Sequence, residues 1–101
     1  MTAAAMPAVF LGHGSPMNAI EDNRWRRGWA EFAASIPRPR AVLIVSAHWE
    51  TEGVRLSSGE APETIHDFFG FPQALFDVRY PAPGAPWLAE RTAGLLLAAG
   101  Y

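Results

Sequence analysis

The feature that most constrains the fold of this sequence is Ala41–Val45, a run of consecutive apolar residues rich in β-branched side chains. A strand with one solvent-facing side alternates apolar and polar residues, whereas a continuous apolar run is typical of a strand covered on both faces. Such strands occur mainly in parallel sheets flanked by helices. The run therefore predicts an α/β fold around a mostly parallel sheet.

A second apolar run, Ala8–Leu11, predicts another buried strand. Asn18 followed by Glu21 resembles a capping box at the start of a helix, and Pro37 and Pro39 would end that helix. Between them, apolar residues recur at the helical spacing of an amphipathic helix: Trp25, Trp29, Phe32 and Ile36. Strand, helix and strand in this order predict a βαβ unit with a right-handed crossover.

The second half of the chain contains weaker strand patterns and one clear helix. Val54–Ser57 and Phe76–Tyr80 are predicted as short strands. Pro86 suits the first position of a helix, and Gly100 suits the residue just after its end. The predicted inner face of this helix carries Leu88, Thr92, Leu95, Leu96 and Ala99.

The composition argues against several classes of function. The net charge of −2 gives no electrostatic basis for binding nucleic acid or an anionic membrane. The absence of cysteine excludes disulfides, thiolate metal ligands and a cysteine nucleophile. No apolar segment has the length of a signal-peptide core or a membrane span, so a cytoplasmic protein is expected.

Two histidines have equivalent positions after the two buried strands. His13 follows the first strand by one glycine, and His48 follows the second in Ser46–Trp49. Ligands of open parallel sheets bind outside the carboxyl ends of the strands, and neighbouring strands are about 4.8 Å apart. We therefore expect His13 and His48 to bind one metal ion. A catalytic metal usually has three protein ligands, so the pair is incomplete.

Other residues admit several interpretations. Asp67, next to His66, suits either a carboxylate that orients a ligand imidazole or a helix-turn cap. Gly12 and Gly14 suit a phosphate loop, but the third glycine of the dinucleotide motif is absent. Ser15 lacks the Gly-x-Ser-x-Gly context of a nucleophile.

Aromatic residues are frequent near the third histidine. Trp49 and the group Phe68, Phe69 and Phe71 suit a pocket for a flat aromatic substrate. Packing in an apolar core is the alternative, and it is the more common fate of such residues.

Five segments together resemble one enzyme family. They are LGHGSPMN at 11–18, VSAHW at 45–49, TIHDF at 64–68, GFPQAL at 70–75 and YPAPG at 80–84. In this order they resemble the DODA-type extradiol aromatic ring-opening dioxygenases of the LigB superfamily. The resemblance extends from about Pro7 to the end of the chain.

The resemblance implies a three-layer α/β sandwich around a mostly parallel sheet. Residues 1–101 would form the N-terminal part of a single extradiol dioxygenase catalytic domain. It also implies an oxidoreductase that opens a catechol such as DOPA with dioxygen, using Fe(II) or Zn(II). His13 and His48 match the first two metal ligands of the family. Trp49, His66 and Phe71 would contact the substrate.

The same resemblance places the third metal ligand and an acid/base histidine outside these residues. The 101-residue chain alone is therefore expected to be inactive, and to need the remaining part of its domain or self-association. Two alternatives remain open at this point. One is a chelatase-like metal or tetrapyrrole protein, since Gly-His-Gly-Ser after a first strand also occurs there. The other is a non-catalytic, truncated α/β module.

Overall fold

The computed structural model describes residues 5–101. Along this part of the chain, a 3-10 helix at Pro16–Ala19 is followed by three α-helices: α1 at Arg24–Ala34, α2 at Gln73–Phe76 and α3 at Pro86–Ala98. No helix between residues 5 and 101 combines the length and the apolar character needed to cross a membrane.

The predicted three-layer α/β sandwich is wrong, because residues 5–101 form no β-strand. A strand exists only where its backbone N–H and C=O groups pair with a neighbouring strand. The apolar run Ala41–Val45 has no such ladder, and Val45 is 96% exposed. The other three predicted strands also have no strand partner: Ala8–Leu11, Val54–Ser57 and Phe76–Tyr80. The predicted βαβ unit is therefore wrong as well. An apolar segment favours burial, but its sequence does not show which strand, if any, pairs with it.

Helix α1 confirms the predicted amphipathic helix but not its predicted start. Its N-cap is Asn23, whose side-chain oxygen accepts the backbone N–H of Arg26 at 3.0 Å. The predicted capping box at Asn18 and Glu21 is wrong, because Asn18 lies in the 3-10 helix. At the other end, the Ser35 N–H donates to the carbonyls of Glu31 and Phe32.

The sequence predicts both ends of helix α3 accurately, but its predicted inner face is wrong, since Leu95 is 63% exposed and the buried residue is Ala89. Pro86 occupies its first turn, where the missing N–H removes no helical bond. Gly100 has a φ of 97°, and the N–H groups of Gly100 and Tyr101 donate to the Leu97 and Leu96 carbonyls. This arrangement is a Schellman motif, which requires the left-handed backbone that glycine adopts readily.

The described chain contains two compact units. The first comprises the described residues up to Arg40 together with Phe68–Val78. Within it, α1 and α2 each contact the 3-10 helix, and Leu75 of α2 is 2% exposed. The second unit comprises Ala41–Asp67 and Arg79–Tyr101. Ala89 of α3 is its buried residue within the described part of the chain.

In the second unit, two loop segments are bonded to each other. The Tyr80 N–H donates to Thr64 Oγ1 at 3.0 Å, and that hydroxyl donates to the Tyr80 carbonyl at 3.5 Å. Further along, the Gly84 N–H donates to the Glu60 carbonyl at 2.8 Å. These bonds fix the segment that leads to His66 and Asp67.

Gly84 is a point of close backbone approach between these segments. A Cβ built on Gly84 would overlap the carbonyl oxygen of Gly59, whereas a Cβ on Gly94, in α3, would meet no atom within 4 Å. The two glycines therefore make a matched pair of substitution sites.

We expect Gly84→Ala to destabilise the second unit by about 1–3 kcal/mol, since a backbone oxygen would have to move. Gly94→Ala should stabilise α3 by about 0.5–1 kcal/mol through helix propensity. Thermal unfolding followed by far-ultraviolet circular dichroism measures both effects. A Gly84→Ala variant as stable as Gly94→Ala would contradict the close approach.

Candidate metal centre

His13 lies in the loop before the 3-10 helix, in the first unit. Its Nδ1 atom is 3.0 Å from the Gly14 carbonyl oxygen. Because a carbonyl can only accept, this bond requires the proton on Nδ1 and leaves the lone pair of the neutral ring on Nε2. Such a tautomer, fixed by an oxygen acceptor, is the usual state of a metal-binding histidine.

The backbone at His13 is held by Asn18. The Asn18 Nδ2 atom donates to the His13 carbonyl at 2.8 Å, and Asn18 Oδ1 accepts from Asn23 Nδ2 at 2.7 Å. Asn23 is the N-cap of α1. One half-buried amide therefore connects the histidine loop to the start of a helix.

His48 lies in the second unit, where a carboxylate orients it. The His48 Nδ1 atom is 2.8 Å from Asp67 Oδ2, and the His48 backbone N–H donates to Ser46 Oγ at 3.1 Å. The carboxylate accepts from Nδ1, so the lone pair of the neutral ring is again on Nε2. The side chains of His48 and Asp67 are 55% and 38% exposed, so this pair contributes little to stability.

His66 has a different partner. The Arg79 guanidinium donates to His66 Nε2 at 3.3 Å, so a cation engages the lone pair that a metal would require. Both residues line an open cleft of about 750 Å³ in the second unit, beside the loop Glu60–Glu63. This geometry suits contact with a ligand better than metal coordination.

The predicted aromatic residues divide by environment. Phe71 packs edge-on against Phe68 with ring centroids 5.5 Å apart, and Phe68 lies 4.9 Å from Phe76. This cluster belongs to the first unit and resembles packing. Trp49, in the second unit, is 45% exposed.

Ser15 has a structural partner. Its hydroxyl accepts the Met17 backbone N–H at 3.2 Å and caps the 3-10 helix. Between residues 5 and 101, no group of three or more His, Asp or Glu side chains is arranged to hold a metal ion. The individual side chains whose donor chemistry suits a metal are the imidazoles of His13 and His48, each with Nδ1 bonded to an oxygen atom.

Two of the residues that form these sites have partners that the sequence does not predict. The partner of Asp67 is His48, 19 residues away, and not the adjacent His66. Asp67 also caps no helix, since the N-cap of α2 is Pro72. The sequence pattern predicts Asn18 as a helix cap, whereas its side chain bonds to the His13 backbone. No local pattern in the sequence identifies either pairing.

Comparison with known proteins supports the family resemblance. No family model and no solved structure matches the chain. Among curated proteins, 4,5-DOPA dioxygenase extradiol of Escherichia coli is 56% identical over 96 residues, which cover 95% of this chain and 35% of that protein. The protein of the same name from Beta vulgaris is 41% identical over 96 residues, 91% of this chain and 35% of its own length.

A fungal relative, dioxygenase tasH of Hapsidospora irregularis, is 38% identical over 105 residues, covering 93% of this chain and 32% of that protein. The chain spans about a third of the length of the curated relatives it matches. The predicted resemblance is confirmed by these relatives, all three of which are named as dioxygenases.

We expect Asn18→Ala to speed amide hydrogen exchange at His13–Ser15 and to destabilise the start of α1. Each lost bond is worth about 0.5–1.5 kcal/mol. Asn18→Asp keeps an acceptor for Asn23 but loses the donor to His13, so it should loosen the loop and spare the helix. Exchange measured by mass spectrometry separates the two effects. Unchanged loop exchange in both variants would show that Asn18 does not hold the loop.

Proposed function

Because the chain is homologous to proteins named 4,5-DOPA dioxygenase extradiol, we propose that it forms part of an extradiol ring-cleaving dioxygenase, an oxidoreductase acting on a catechol such as DOPA. In this proposal, residues 1–101 contribute to one catalytic domain. The main observation in support is that His13 and His48 each have Nδ1 bonded to an oxygen acceptor.

The proposed role of His13 and His48 is to bind the metal, Fe(II) or Zn(II), through Nε2. Imidazole nitrogen suits both ions. When bound, such an ion supplies Lewis acidity and a common binding point for the catechol oxygens and dioxygen. The proposal takes the third ligand and the acid/base histidine from residues beyond these 101.

The other proposed functional residues contact the substrate. Trp49 directly follows His48 and is 45% exposed, so its ring has surface available for a planar ligand. His66 and Arg79 line the cleft of the second unit, where they would hydrogen-bond to polar substituents. Phe71 is proposed as an apolar contact from the Phe68 cluster. None of these roles involves the metal.

A chimera tests the ligand assignment. The matching segment of the E. coli relative is replaced by this chain, and ring-opened product is followed by its absorbance with DOPA as substrate. We expect the chimera to turn over and to contain metal. His13→Ala and His48→Ala should each lower kcat/KM and metal content by more than about 100-fold, which exceeds the usual effect of losing an outer partner.

His66→Ala is the matched control for this experiment. It should retain the metal and raise KM, because it is proposed to contact the substrate only. Undiminished turnover in both His13→Ala and His48→Ala would overturn the ligand assignment. Metal loss in all three variants would show that the substitutions act through folding.

Metal removal is a separate test of the same chimera. Chelation should abolish ring opening, since a metal is needed to bring catechol and dioxygen together. Anaerobic return of Fe(II), or of Zn(II) in a parallel sample, should restore turnover, and the ion that does so identifies the working metal. Full activity after metal content has fallen to background would contradict metal dependence.

A further inference from the structure

The bond between His48 and Asp67 joins two sequence-distant loops of the second unit. Its length, 2.8 Å, is that of a charge-assisted hydrogen bond. The sequence separation of 19 residues means that the contact is made by the fold and not by chain proximity. His13, in contrast, bonds to the carbonyl of the next residue.

We propose that Asp67 is a positioning residue that holds the His48 ring with its proton on Nδ1, so that Nε2 presents its lone pair to the metal. This inference rests on the proposed function, in which His48 is a ligand. In this role the Asp67 carboxylate selects one of the two neutral tautomers of the His48 imidazole and fixes the plane of its ring.

The segment that leads to Asp67 is held by bonds of the residues before it. Thr64 exchanges two hydrogen bonds with the backbone of Tyr80, and His66 accepts from Arg79. On the other side of the contact, Ser46 fixes the His48 backbone. On both sides of the bond, the neighbouring chain is thus held by contacts other than the bond itself. An anchored acceptor orients a ring, whereas a mobile one would follow it.

A carboxylate does more than a carbonyl in this position. Its negative charge makes the imidazole a stronger donor to a metal, and such partners commonly change metal affinity about 10- to 100-fold. Since the pair is largely exposed, its loss removes little folding stability. An Asp67 variant should therefore retain its fold while its His48 changes, which makes the role separable from a structural one.

The test uses the metal-free chimera described above, with labelled histidine nitrogens. Long-range proton–nitrogen NMR reports the tautomer of each ring, and calorimetry with Zn(II) reports affinity. We expect His48 in the parent to carry its proton on Nδ1. Asp67→Ala should give a tautomer mixture at His48 only and raise the Zn(II) Kd about 10- to 100-fold.

Three further variants sharpen the result. Asp67→Glu should recover the parent tautomer at least in part. Asp67→Asn, whose amide either accepts from Nδ1 or donates to it, should fall between parent and Asp67→Ala; it decides the question if Asp67→Ala does not fold. The control is Asp77→Asn, a carboxylate that accepts from Gln73 Nε2 and touches no histidine. It should leave both readouts unchanged.

An unchanged His48 tautomer in Asp67→Ala and Asp67→Asn overturns the proposal. An altered tautomer with unchanged Zn(II) affinity also overturns it, because positioning would then not serve ligation. Failure of the proposed function has a different signature: the parent chimera would bind no Zn(II), while the tautomer readout would still report whether Asp67 sets the His48 ring.

Discussion

A histidine binds a metal through one ring nitrogen. The hydrogen bond made by the other ring nitrogen fixes the tautomer, and so the binding nitrogen, and the orientation of the ring. In this chain the two proposed metal ligands meet that constraint by different means. Gly14 supplies a backbone carbonyl to His13, and Asp67 supplies a carboxylate to His48. The carbonyl belongs to the residue next to His13 in the sequence, whereas the carboxylate is 19 residues from His48 and reaches it through the tertiary structure. These two bonds support the proposal that both histidines are metal ligands.

The surroundings of each histidine follow from the need to hold those acceptors. Asn18 connects the His13 backbone to the cap of α1. Thr64 and Tyr80 fix the loop that ends at Asp67. These contacts are polar and lie near the surface; among residues 5–101 only Leu75 and Ala89 are buried. Hydrogen bonds within loops therefore define the local geometry more than an apolar core does.

Two of the helices, α1 and α3, are predictable from local signals, whereas α2 and the 3-10 helix are not predicted. Pro86 and Gly100 mark α3 within a turn of its ends, and the Trp29 periodicity marks α1. The predicted sheet is wrong, because a strand is defined by a distant partner. Ala41–Val45 has the composition of a buried strand, and yet Val45 is almost fully exposed. The sequence pattern predicts which residues favour burial, but it does not predict which other part of the protein packs against them.

The candidate site shows the same division between local and distant information. The flanking motifs predict His13 and His48 as metal ligands, and the relatives support the resemblance at the level of the family. The sequence marks Asp67 as a possible orienting carboxylate but does not reveal its partner. The predicted helix cap at Asn18 is wrong, because the Asn18 side chain bonds to the His13 backbone instead. An Asn followed three residues later by Glu is compatible with either role. Pairings of this kind are set by the tertiary fold.

The central proposal is that His13 and His48 both bind the metal through Nε2. The most direct measurement is the cadmium–nitrogen scalar coupling in the cadmium-substituted, nitrogen-labelled chimera, because such coupling passes only through a coordination bond. The account predicts couplings to Nε2 of His13 and of His48, and none to Nδ1 of either ring. Coupling through Nδ1, or no coupling to one of these two histidines, would contradict it.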